Sequence, residues 1–424
     1  MQKVLLKNGQ NKRVPKELVI IGCGDAGLSA AFAAAKDGAH VTVVSNESEH
    51  YPRCPLPHLI AGEYKKSDLS KPLDDMFKGT SVVIKKGQVL KLKDISLECD
   101  FGELSYDAAI IASGASPKRI ADSLVLRTMD DALEIKRRID AGERGLIIGA
   151  GMIGCELADA IDGTIIEKEN RILPRFDPEF SKEVEKRLSL RCKILTSTTD
   201  APKSDFTVSA IGVSPNTTLA KDSGIKVSDF GIEVDSCLKT SKENVYAAGD
   251  CVAEKCFITG ARIHSYYGPQ SERQGVIAAK NALDEKCDNG CFRYPGSLNS
   301  IVAKIADIEI GMAGISSERA KEAGIDFTFG KISTTSLPYY SPFGKKIVVK
   351  MLFERETERL IGCQAMGERI DGIINLAAYA MMKSASVNEL MNLPYCFSPP
   401  VCSAPNPIII CAENAKRRLK TKIC

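Results

Sequence analysis

The chain has 424 residues and no tryptophan, and Phe and Tyr together supply only 6% of it. The few aromatics form no stacking platform of the kind that single-stranded nucleic acid uses. A formal charge of +3 is small for this length and gives no reason to invoke nucleic acid or an acidic membrane surface. No apolar run approaches the length of a bilayer span. Met1 to Lys16 is basic but has no apolar core, so it reads as a short lead-in rather than a secretory signal. Cysteine is plentiful, at fifteen, yet no pair repeats the spacing of a zinc site, and no metal is expected. Mostly reduced thiols in a cytoplasmic protein are the expectation, with Cys23, Cys155, Cys237, Cys363 and Cys411 as small buried apolar residues.

The chain is too long for one core, so two or three domains are expected. Two segments read as nucleotide cradles. In the first, the apolar strand Glu17 to Ile21 feeds Gly22-Cys23-Gly24-Asp25-Ala26-Gly27, and Leu28 to Ala35 continues as helix. Gly22 permits the tight turn, Gly24 lets the backbone approach a pyrophosphate, and Gly27 lets helix and strand pack closely. The phosphates then meet unpaired N–H groups at the helix start. After the second strand, Val41 to Val44, comes Ser45, and Glu47 is the nearest acid for a ribose diol.

The second cradle is Gly145 to Ile148 followed by Gly149-Ala150-Gly151-Met152-Ile153-Gly154, with Glu167 closing its second strand. Its helix is expected to be short. A carboxylate at Glu167 accepts from both ribose hydroxyls and disfavours a 2′-phosphate, so NADH is expected, with NADPH tolerated through Lys168 and Arg171. Between the cradles lies His50-Tyr51-Pro52-Arg53-Cys54-Pro55-Leu56-Pro57. Cys54 stands seven residues beyond Glu47.

These motifs resemble the pyridine nucleotide–disulfide oxidoreductase family over nearly the whole chain. Tyr106 to Pro117, with Ser113 and Gly114, is similar to the family's link out of its first domain. Asp205 to Thr217, with Gly212, is similar to the link out of the second. Val245-Tyr246-Ala247-Ala248-Gly249-Asp250 is similar to the second FAD motif. The resemblance implies an α/β fold of two Rossmann-like units, with FAD on the first and NADH on the second, and a C-terminal α+β dimerisation domain. It places the FAD domain at 1–117 and 235–293, the NAD(P)H domain at 118–234 and the dimerisation domain at 294–424. Asp250 inherits the acceptor that grips the ribityl chain, and Phe397 stands in the family's Tyr-Ala-Pro-Pro stretch as Phe397-Ser398-Pro399-Pro400.

The family's paired-cysteine motifs are missing. Cys251 and Cys256 have a four-residue gap but follow Asp250, in the wrong part of the chain. Cys54-Pro55-Leu56-Pro57 is similar to the Cys-x-Leu-Pro signature of the single-cysteine branch, which holds coenzyme A-disulfide reductases, NADH oxidases and NADH peroxidases. The resemblance implies electrons passed from nicotinamide to flavin to Cys54, and on to a small disulfide or polysulfide. Oxygen or peroxide, by way of a sulfenic acid, is the alternative. Arg53 is expected to lower the thiol's pKa, and Lys36, Arg53, Lys65 and Lys66 are candidates for coenzyme A phosphates. Tyr339 matches a tyrosine of the coenzyme A-disulfide branch, expected to donate to the leaving thiol across a homodimer. One departure weakens a peroxide reading: Asp25 stands where the family's peroxidases and oxidases carry a histidine; separately, His50 stands in the place of a typical serine. Tyr51-x-Arg53 also resembles flavoproteins that feed electrons to rubredoxin. Finally, Cys396 and Cys402 flank the Pro399-Pro400 pair, so a partner chain's thiol is a candidate to meet Cys54.

Overall fold

A computed structural model describes residues 16–120, 122–284 and 290–420. Most of the expected lead-in, residues 1–15, lies outside the described residues. Glu17–Ile21 is the third strand of a five-stranded parallel sheet, ordered Val245–Ala247, Ala108–Ile111, Glu17–Ile21, His40–Ser45, Val82–Lys86. Leu18, Val19 and Ile20 are all buried, as a parallel strand covered on both faces requires. Helix Asp25–Lys36 covers one face and packs on helix Gly268–Leu283. The two approach so closely that a Cβ at Gly275 would lie 2.1 Å from the Ala26 carbonyl oxygen. Small residues along the first helix (Ala26, Ala30, Ala31, Ala34) make that distance possible.

The first sheet draws strands from both sides of a second. That second sheet is four-stranded and parallel, ordered Lys193–Leu195, Gly163–Ile166, Gly145–Ile148, Phe206–Ser209. One unit is therefore inserted in the other. The chain crosses between them along Ala115–Pro117 and Val213–Pro215, which pair antiparallel. Asn216 pins the crossing: its side-chain N–H donates to the Ser113 carbonyl at 2.8 Å, and the Ser113 hydroxyl donates to the Asn216 carbonyl at 2.8 Å.

The C-terminal unit is a five-stranded antiparallel sheet, ordered Ile301–Ile305, Ile308–Gly314, Leu360–Gly367, Lys346–Glu354, Phe327–Thr335. Helices Asp371–Met382 and Pro407–Lys420 pack on it around a core that includes Val349, Met351, Phe353 and Cys363. Lys350 is buried in the fourth of these strands, Lys346–Glu354, where its ammonium donates to Asp177 at 2.6 Å and Glu179 at 3.0 Å of the inserted unit. A buried cation of this kind needs such partners. Burial alone would raise Asp177, but Lys350 and Ser317 outweigh it and hold the carboxyl below its ordinary range. Among the described residues no helix is long and apolar enough to cross a membrane.

Candidate active site

Both cradles show the same steric logic. Gly22 and Gly149 sit at φ +100° and +102°, and a Cβ at either would lie 2.4 and 2.6 Å from the carbonyl oxygens of Ala112 and Ala210. A Cβ at Gly27 would lie 2.0 Å from the Gly22 oxygen, and one at Gly154 would lie 1.9 Å from the Gly149 oxygen. Gly24 and Gly151, by contrast, have nothing within 4 Å. Each is the N-cap of its helix, and neither supplies a side-chain cap. The helix starts are thus open at the position where a pyrophosphate approaches, with donors to spare. Asp25 and Ala26 open the first helix; Met152 and Ile153 open the second, which spans only nine residues.

The acids differ between the units. Glu167 is buried and accepts from the Ala150 N–H at 2.7 Å and the Glu169 N–H at 3.1 Å. Glu47 accepts from Arg53 Nη2 at 2.8 Å. Asp250 follows the short strand Val245–Ala247 and is approached by Ser271 Oγ at 3.2 Å and Arg127 Nη2 at 3.7 Å. Burial, opposed by Arg127, keeps its pKa above the ordinary carboxylate value. These groups, with the open helix starts, suit two dinucleotides: anion-binding amides for diphosphate, carboxylates for ribose and ribityl hydroxyls.

Cys54 lies on the turn before helix Leu56–Ile60, which packs against helices Met129–Asp140 and Met152–Ala160 of the inserted unit. Tyr51 anchors that turn, its hydroxyl accepting the Met129 N–H at 3.2 Å. The residue is exposed. Its charge environment reverses the sequence expectation. Arg53 does not serve the sulfur; it binds Glu47 and lies over the Tyr51 ring, 5.1 Å from its centroid. Partial burial raises the Cys54 pKa, and Asp25, Glu156 and Asp250 raise it further, opposed by a local backbone hydrogen bond. Acidic residues from three different segments therefore oppose ionisation of this one thiol.

Two of the residues here carry no sequence motif. Arg127 precedes helix Met129–Asp140 and reaches Asp250, and burial, with Arg53 nearby, pushes its pKa down. Glu156, inside the second cradle's helix, is raised by burial to about 7. Spacing alone signals neither, because each acquires its neighbours only when the two units meet.

The sequence-derived candidates do not all converge. Gly22, Gly24, Asp25, Ala26, Gly27, Ser113, Gly114, Gly249 and Asp250 lie at the C-terminal edge of the first sheet, with Glu47 and Arg53 beside them. Gly149, Gly151, Met152, Ile153, Gly154, Glu167 and Gly212 lie at the same edge of the second. Tyr339, 94% exposed, packs edge-on only to Tyr340 among the described ring contacts, and Phe397 is also exposed; both lie on the C-terminal unit. Lys66 pairs with Glu49 at 3.9 Å rather than standing free. Cys251 and Cys256 are buried, and Cys251 Sγ donates to the Ala248 carbonyl at 3.3 Å. Cys237 is half-buried rather than buried, and Cys291 is in a disulfide, an exception to the expected reduced thiols.

Two dinucleotide cradles flanking an accessible thiol define an oxidoreductase that joins nucleotide redox chemistry to sulfur. Comparison with known proteins agrees. The model of the pyridine nucleotide-disulphide oxidoreductases matches residues 16–198 and 189–284, and that of their dimerisation domain matches 302–406. The chain belongs to this family, whose members are FAD- and NAD(P)H-dependent oxidoreductases. It is 32% identical to an NADH oxidase of Methanocaldococcus jannaschii, over 95% of this chain and 99% of that one. It is 31% identical to an NAD(P)H coenzyme A polysulfide/persulfide reductase of Pyrococcus horikoshii, over 96% and 100%. The fold superposes on reduced Bacillus anthracis CoADR-RHD with a TM-score of 0.90 at 22% identity, covering 96% of this chain and 81% of the other.

Proposed function

We propose a cytoplasmic homodimeric enzyme that uses NAD(P)H to reduce a small disulfide or polysulfide, of the coenzyme A disulfide kind, through Cys54. The observation that carries this reading is the exposed Cys54 on a turn whose helix, Leu56–Ile60, packs against the inserted nucleotide-binding unit. The Pyrococcus relative's name supports the substrate class, and the dimerisation-domain match supports the dimer. The domains are proposed as 1–117 with 235–293, 118–234 and 294–424.

In this assignment FAD, when bound, supplies two-electron chemistry between nicotinamide and sulfur. Gly22, Gly24 and Gly27 with the Asp25–Ala26 helix start hold its diphosphate, Glu47 with Arg53 its ribose end, and Ser113, Gly114, Gly249 and Asp250 its middle. Gly149, Gly151, Met152, Ile153 and Gly154 take the nicotinamide nucleotide's diphosphate, Glu167 its ribose, and Gly212 the approach. Cys54 attacks the substrate sulfur as a thiolate, giving a mixed disulfide and one released thiol. The partner subunit's Tyr339 donates a proton to a leaving thiolate, and Phe397 is assigned to the cofactor.

The M. jannaschii relative favours a second reading, NADH oxidase or peroxidase chemistry through a Cys54 sulfenic acid. Asp25, which stands where the family's peroxidases and oxidases carry a histidine, argues against it, because an anion is a poor partner for a peroxide-cleaving thiolate. Thiol release from coenzyme A disulfide with NADH decides. The proposal requires turnover that Cys54→Ser abolishes; oxygen or peroxide consumed without thiol release would establish the alternative. Electron transfer to a rubredoxin-type protein that survives Cys54→Ser would make the sulfur a bystander.

A further inference from the structure

Burial sorts the thiols of this chain. Of the twelve described free cysteines, eight are buried, and burial makes them small inert apolar residues. Only Cys54 and Cys396 are exposed, with Cys237 and Cys402 intermediate. Cys396 does not stand by itself. The N–H groups of Val401 and Cys402 both donate to the Ser398 carbonyl, at 2.9 and 3.0 Å, so the chain reverses through Ser398 to Val401. The reversal returns Cys402 over Cys396, with its Sγ 3.6 Å from the Cys396 carbonyl oxygen. That contact brings the Cys402 sulfur against the backbone of Cys396, six residues back along the chain. Arg369 Nη1 donates to the Val401 carbonyl at 3.0 Å, which ties the turn to the C-terminal unit and holds a guanidinium one residue from Cys402.

We propose that Cys396 and Cys402 form a second thiol–disulfide exchange site, which takes disulfides of the class proposed for Cys54. The proposal rests on that reading only for the identity of the oxidant. Cys396, the exposed member, attacks a disulfide R–S–S–R; one S–S bond breaks, one thiol leaves with its proton, and Cys396 carries the other half as a mixed disulfide. Cys402, half-buried behind it, attacks the Cys396 sulfur and releases the second thiol. The balance is two cysteine thiols oxidised by two electrons to one disulfide, and one external disulfide reduced to two thiols. In its reduced form the pair stores two electrons on the C-terminal unit.

The test uses the full-length Cys54→Ser protein, reduced, freed of reductant and exposed to coenzyme A disulfide, followed by peptide mass mapping and a non-reducing gel. The expected result is a Cys396–Cys402 cross-link within one chain, with two coenzyme A thiols released per chain and a monomer band retained. Cys402→Ser in that background should accumulate a coenzyme A adduct on Cys396, and Cys396→Ser should leave Cys402 unmodified. A stable adduct on Cys396 with Cys402 intact, or no modification at Cys396, overturns the proposal. Because Cys54 is absent throughout, these outcomes are independent of whether Cys54 reduces the same substrate.

Discussion

Glu254 offers the sharpest test of the physical reasoning, because a carboxyl is buried there without a cation. One of its oxygens accepts from Gln274 Nε2 at 2.6 Å and the other from the Lys255 N–H at 3.0 Å. Gln274 in turn accepts the Gly249 N–H at 2.8 Å, so the chain of hydrogen bonds ends one residue from Asp250. Burial pushes the Glu254 pKa up to about 7, against hydrogen bonds from Lys255, Tyr294 and Gln274 that lower it. A carboxyl raised in the folded state contributes nothing unfavourable below its unfolded pKa, where both states are protonated. As pH rises through that value the unfolded chain ionises first, and stability is lost until the folded pKa is passed. A rise from 4.5 to about 7 corresponds to a loss of about 3 kcal/mol in full, of which about 2.5 kcal/mol falls between roughly pH 5 and pH 8. Glu254→Gln removes this titration and leaves every other group in place. Denaturation midpoints of wild type and variant, measured across that window, should therefore converge or cross, with the variant gaining about 2.5 kcal/mol on the wild type. Parallel curves for the two proteins would refute the assignment of a buried, late-titrating Glu254.

Three other changes probe the remaining geometry. Asp25→Asn removes one of the anions that raise the Cys54 pKa, so the pH midpoint of iodoacetamide labelling at Cys54 should fall; an unchanged or higher midpoint contradicts the electrostatic picture. Gly154→Ala drives a methyl to within 1.9 Å of the Gly149 carbonyl, so the second cradle must open and NADH affinity should drop at least about tenfold by titration calorimetry, with the flavin spectrum retained. Lys350→Met strips the buried Asp177 of its cation and should cost about 3–5 kcal/mol by denaturant unfolding, whereas pairing the change with Asp177→Asn should recover part of that loss.

The sequence was legible wherever one short segment dictates its own geometry. The cradles are of this kind: Gly22 and Gly149 adopt left-handed backbone, and Gly27 and Gly154 face a carbonyl that excludes a side chain, for reasons contained within a few residues. The short second helix was legible too, from the spacing between Gly149 and Glu167. The charge at Cys54 was not. Arg53 is adjacent in sequence, yet Glu47 and Tyr51 take its guanidinium, while the carboxylates that act on the sulfur come from residues 25, 156 and 250. Adjacency along a chain places two Cα atoms together and leaves side-chain direction to the fold. Arg127 and Glu254 were invisible for the same reason: their side-chain partners lie twenty or more residues away, and neither belongs to a spaced motif.

The two acids beyond the cradles show how one architecture can serve two nucleotides differently. Glu167 is held by the Ala150 N–H, which belongs to the cradle turn itself, so its carboxylate cannot swing aside without disturbing the phosphate-binding loop. A 2′-phosphate would meet a fixed negative charge there, which favours NADH over NADPH under the proposed assignment. Glu47 is held instead by Arg53, the neighbour of Cys54, so the corresponding end of the first nucleotide is tied to the loop that carries the thiol. Any ligand that draws Glu47 away from Arg53 frees a guanidinium one residue from the sulfur, in a place where Asp25, Glu156 and Asp250 otherwise set an anionic field. Under the proposed assignment the ribose end of the first nucleotide borders the Cys54 loop through the 2.8 Å Glu47–Arg53 ion pair, whereas Glu167 is held within its own cradle.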